Sequence, residues 1–63
     1  MPTLADVVRA VLRDCPDLLT TRDAVREALL VGRIPSFVES RGKTLEMATS
    51  MLWKALQAAR GPN

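Results

Sequence analysis

Apolar residues recur along this chain at helical spacing, in blocks separated by proline, glycine and threonine. Leu4, Val7, Val8, Val11, Leu12 and Cys15 follow the i, i+3, i+4, i+7, i+8, i+11 series and form one stripe, with Asp6, Arg9 and Arg13 opposite. The spacing predicts a first helix from Leu4 to about Asp14. Thr3 caps it, and Asp6 sits in the first turn, where a carboxylate meets the positive end of the helix dipole. Pro16 ends it, because the residue before a proline is driven away from helical angles. A second helix is predicted after Thr20 or Thr21 as cap, with Ala24, Val25, Ala28, Leu29 and Val31 on its apolar side. Leu30 falls off that stripe, and Gly32 stands where a left-handed C-terminal residue is wanted.

Ile34-Pro35 leads into Ser36-Phe37-Val38-Glu39, in which Ser36 and Glu39 have the spacing of a capping box. A short third helix is expected there, with Phe37 and Val38 turned inward and Gly42 as its stop. The last helix is the longest, capped by Thr44 and running from Leu45 to about Ala59 before Gly61-Pro62. At 100° per residue, Met47, Ala58, Met51, Ala55, Ala48, Ala59, Leu52, Leu45 and Leu56 fall on an arc about half the circumference wide. One neighbouring helix needs less than that. The excess predicts either a helix sandwiched between others or one whose Met47 and Met51 side meets a second subunit. With no repeat and no strand-like alternation, residues 1–63 read as a single helical domain, an all-α small bundle of three main helices plus one short helix that self-associates.

Composition narrows the core. Of 63 residues 48% are hydrophobic, but only one is Trp and one Phe, so the interior must be aliphatic. A chain this short buries only about 60% of the surface it exposes when unfolded, so a partner or a second copy would add stability. The net charge of +2 is unevenly placed: two basic residues face three acidic ones up to residue 21, then seven face four. The single Cys15 cannot form an intramolecular disulfide, and no stretch of about 18 apolar residues occurs. With no basic segment and apolar run opening it, the chain is expected to be cytoplasmic, with no membrane partner.

The side chains that catalysis uses are scarce. His and Tyr are absent, which removes the commonest general base, and one cysteine cannot supply a zinc site. Cys15 lies on the apolar stripe, where free thiols are inert core residues. Asp23 and Glu27, one turn apart, lack the further oxygens that a cation needs and read as a solvated face. Gly42-Lys43-Thr44 imitates the end of a phosphate-binding loop, but the first glycine of that motif would have to stand at Phe37 and no strand precedes it. The expectation is a non-enzymatic protein with no cofactor and no metal.

Three features point to binding. Arg22 and Arg26 lie one turn apart with Arg33 beyond them, a line that could meet phosphates, although Asp23 and Glu27 beside it are enough to neutralise it. The stretch from Ile34 to Leu56 resembles a helix-turn-helix: a short helix with Phe37 and Val38 inward, a turn glycine at Gly42, a cap at Thr44, and a longer helix with Ala48, Met51 and Leu52 inward. Arg41 and Lys43 depart from that family's pattern, in which residues flanking the turn glycine are apolar. The resemblance implies a dimeric DNA-binding regulator with residues 44–60 as recognition helix. Lys43, Glu46, Thr49, Ser50 and Lys54 would then face bases and phosphates, and Arg22 and Arg26 would grip the flanking backbone.

Trp53 is the third feature. It projects between Arg60 and Glu46 on the polar side of the last helix, either covered by another segment or acting as a contact anchor. The leading expectation is a helical protein-interaction module, an adaptor or accessory protein that binds a protein partner and pairs with itself through Met47, Met51, Trp53 and Lys54 of the last helix. Nucleic-acid binding through Arg22, Arg26, Lys43, Thr49, Ser50 and Lys54 is the alternative.

Overall fold

Threonine caps set the three main helices. In a computed structural model, which describes residues 1–61, α1 spans Leu4–Asp14, α2 spans Arg22–Leu30 and α3 spans Leu45–Arg60. A single 3₁₀ turn, Val38–Ser40, lies between α2 and α3, and no strand occurs among the described residues. At α1 the capping box is complete: Thr3 Oγ1 accepts the Asp6 N–H at 3.1 Å and Asp6 Oδ2 accepts the Thr3 N–H at 3.3 Å. Thr21 Oγ1 accepts the Ala24 N–H, and Thr44 Oγ1 accepts the Met47 N–H. Each of these bonds satisfies an amide that the helix itself cannot.

The core gathers Val7, Val8 and Val11 of α1, Val25 and Ala28 of α2, and Ala48, Leu52 and Leu56 of α3 around Ile34 and Phe37. Phe37, Leu52, Leu56 and Val25 are fully buried, as aliphatic composition with one phenylalanine requires. Helices α2 and α3 run in opposite senses, since Arg60 reaches the carbonyls of Leu18 and Leu19 while Arg22 and Arg26 reach Glu46. Arg60 thereby ties down the turn after α1, where Leu19 holds a left-handed φ of +57°. Gly32, at φ +81°, reverses the chain after α2, and the amides of Arg33 and Ile34 both bond back to the Ala28 carbonyl. Gly61 follows α3 with φ +102°; Pro62, the other half of the expected stop, lies outside the described residues.

Two local expectations are corrected. Val31, assigned to the buried stripe of α2, is 58% exposed, because the helix ends at Leu30 and Val31 lies beyond its last packed turn. The short third element is present as the 3₁₀ turn, but its cap position is Phe37 and not Ser36. Ser40, not Ser36, closes it: its hydroxyl accepts the Phe37 N–H at 3.3 Å and donates to the Phe37 carbonyl at 2.7 Å. Glu39 turns away from the local box, and its Oε1 accepts the Leu4 N–H at 2.8 Å. The Val38 N–H donates to the Pro2 carbonyl, and the Val38 side chain faces out at 44% exposure while Phe37 fills the interior. A long-range partner for the carboxylate has outcompeted the local one.

Candidate functional site

The stripe of α1 is wider than the core that α2 and α3 offer it, and one edge stays open. Leu4, Ala5, Val8 and Leu12 form one wall of a groove of about 720 Å³, and Ala55, Ala58 and Ala59 of α3 form the other. Arg9 and Glu39 border it with opposite charges. Ala58 and Ala59 are exposed, and Ala55 packs partly against the core. Because alanine projects only a methyl group, this wall lies low and the groove is a hollow that larger side chains can enter. Towards the N-terminus of α3, Met47 and Met51 continue the same side of the helix, Met47 at 49% exposure and Met51 half-buried. Lys54, exposed, flanks them. Met47, Met51 and Lys54 of the expected partner-binding set therefore share one side.

Trp53 does not join that side. It packs in part against the core, and at 100° per residue it stands roughly 160° around α3 from Met51. Trp53 therefore lies on a different side of α3 from Met47, Met51 and Lys54. The face of α3 on which Trp53 lies is taken up by polar links. Arg22 donates to Glu46 Oε1, to the Glu46 carbonyl and, at 3.0 Å, to Ser50 Oγ, and Arg26 donates to Glu46 Oε2. The Arg26 hydrogen bond, with Arg22 behind it, holds the Glu46 carboxyl below its usual range, and the same bond raises the Arg26 guanidinium. At α1 the Thr3 N–H is the main cause that lowers Asp6, with Arg9 a smaller one.

The expected nucleic-acid set is divided by the fold. Thr49, assigned to the outward face, is fully buried, and its hydroxyl donates to the Leu45 carbonyl at 2.7 Å. The correction has a geometric cause: Thr49 is about 20° from Leu56 on the helix projection, well inside the packed arc. Ser50 is occupied by Arg22, and Arg22 and Arg26 are engaged with Glu46, whereas Lys43 and Lys54 are exposed and form no ion pair among the described residues. Between α2 and Gly42 the first element of the resembled helix-turn-helix is reduced to the three-residue 3₁₀ turn.

Two smaller clefts, of about 310 and 210 Å³, lie on either side of Cys15 and share Arg33 and Ile34. The thiol is half-buried beside apolar neighbours. Among the described residues no three His, Cys, Asp or Glu side chains come together, and no helix is long and apolar enough to cross a membrane. Sequence reasoning found the excess width of α3 but not the α1 wall of the groove or its Glu39 rim. The available signal was the run of small residues at Ala55, Ala58 and Ala59, too short to cover a neighbouring helix's stripe. Comparisons with protein-family models, with curated proteins and with solved structures return no match.

Proposed function

We propose that this chain is a small, non-enzymatic interaction module that docks on another protein chain through the groove between α1 and α3. The observation that carries the reading is the groove itself: α1 and α3 line a hollow of about 720 Å³ with apolar side chains, and Met47, 49% exposed, lies further along the same side of α3. In a chain of 63 residues, covering the groove adds burial that a small core lacks. Methionine suits the role, because its unbranched, polarisable side chain adapts to different partner shapes. Arg9 and Glu39 at the rim supply orientation and not bulk affinity.

The test is the size of the assembly in extracts of the cells that produce the chain. The reading predicts that the wild-type chain elutes in an assembly larger than its own mass, and that Ala58→Glu, which places a carboxylate in the groove, elutes as a monomer with unchanged helicity. Ala58 is exposed and outside the core, so the variant folds. A wild-type chain that runs as a monomer in the extract refutes the reading.

A further inference from the structure

We infer that the partner is an acidic helical segment of another protein, lying along α3 with carboxylates on Lys43 and Lys54 and apolar residues between them. The inference rests on the docking reading above and names the chemistry of the partner. Its basis is where the chain neutralises its own charges. Glu46, the one acid of α3, is bonded to Arg22 and Arg26 of α2. Asp14 pairs with Arg13, and Asp6 accepts the Thr3 N–H and pairs with Arg9. The Glu39 carboxylate on the groove rim accepts the Leu4 N–H, at the positive end of the α1 dipole. Asp17, Asp23 and Glu27, whose carboxylates have neither ion pair nor hydrogen bond among the described residues, lie in the link before α2 and on α2 itself.

The open charges on α3 and at its head are both positive. Lys43, just before the Thr44 cap, and Lys54 are exposed and form no ion pair among the described residues. At 100° per residue Lys54, Met47, Ala58 and Met51 fall within about 60° of one another, so the second lysine stands in the row of the exposed methionine. Eleven residues separate the lysines in the chain, about 16 Å at the helical rise. A partner helix with carboxylates at the same spacing meets both, and its apolar residues fall on Met47 and, beyond Lys54, beside Ala58. The hollow between two helices suits a helix better than an extended strand. Exposed pairs of this kind select and orient the partner, while the apolar contacts hold it. A membrane surface fits less well, because lipid recognition takes clusters of about four to eight basic residues. A nucleic acid also fits less well, since Thr49 is buried and Ser50 is bonded to Arg22.

The test titrates the purified chain, up to ~500 µM, into two fluorescein-labelled synthetic helical peptides with the same leucines, one carrying glutamates beside them and the other glutamines. The acidic peptide should bind the more tightly, and less so when salt rises from ~50 to ~500 mM. Lys43→Gln/Lys54→Gln should weaken that binding about 2- to 30-fold, the worth of two exposed pairs. Arg13→Gln/Arg33→Gln, which removes the same charge elsewhere, should weaken it less than about 2-fold; circular dichroism confirms that both variants fold. Equal affinity for the two peptides, binding of neither, or equal loss in the two variants overturns the acidic partner. Tighter binding to mixed-sequence duplex DNA or to phosphatidylglycerol vesicles in the same titration overturns it too. If the acidic partner fails while the larger assembly in extracts persists, the docking reading stands with a partner of other chemistry; if that assembly is missing as well, both fall.

Discussion

Replacing Phe37 by alanine sets the sharpest demand on this account of the fold, because its neighbour Val38 supplies a built-in control. Phe37 is fully buried and is the single phenylalanine in the chain, whereas Val38, one residue on, is 44% exposed. Removing a buried phenylalanine ring costs about 3 to 5 kcal/mol, part of it lost transfer free energy and part the cavity left behind. A chain of 63 residues has a total stability of about 3 to 9 kcal/mol at 0.05 to 0.15 kcal/mol per residue. Phe37→Ala therefore brings the protein to the edge of unfolding at room temperature or past it. Val38→Ala removes two half-exposed methyl groups and costs no more than about 0.5 kcal/mol. Urea melts followed by far-ultraviolet circular dichroism measure both. If Val38→Ala destabilises as much as Phe37→Ala, the segment is the two-sided short helix expected from the Ser36 box, and the 3₁₀ turn with its outward valine is wrong.

Other outcomes follow from single contacts. Glu39→Ala removes the carboxylate that accepts the Leu4 N–H and should cost about 1 kcal/mol, with faster amide exchange confined to the first turn of α1. Gly32→Ala should cost about 1 kcal/mol in the same melts; a Cβ there meets nothing within 4 Å, so the penalty comes only from the φ of +81°. The Glu46 carboxyl is held below its usual range by Arg26 and Arg22, so its contribution to stability is complete above the ordinary carboxylate range and is lost as the pH falls through the lowered value. Glu46→Gln should accordingly flatten the acid side of a plot of stability against pH and leave its shape near neutrality unchanged. An acid limb as steep as that of the wild-type chain would show that the carboxylate is not held by the arginines.

How far the fold could be read from sequence depended on whether a residue's partners are local. Thr3, Thr21 and Thr44 each bond an amide three residues ahead, so the starts of α1, α2 and α3 were legible within one residue. Glu39 has the right spacing for a local box with Ser36, yet its carboxylate binds Leu4, 35 residues away, and no local rule sees that competitor. Thr49 misled by its chemistry: its hydroxyl is satisfied inside its own helix, which lets a polar side chain occupy a fully buried position. Trp53 and the groove were not legible for a further reason. Whether a broad apolar arc is covered depends on how closely α1 and α2 approach α3, and helical periodicity fixes the direction of a side chain but not the distance to the next helix.

The central claim is that the alanine wall and the methionines of α3 are the surface this chain uses. The measurement that reaches it most directly is the methyl NMR spectrum of the labelled chain in an extract of the cells that produce it, set against that of the purified chain. The account predicts that the methyl resonances of Met47, Met51, Ala55 and Ala58 shift or broaden together in the extract, while those of Ala24 and Ala28 on α2 stay fixed. Invariant α3 methyls, or shifts confined to the exposed Leu30 and Val31 at the end of α2, would place the contact elsewhere and contradict it.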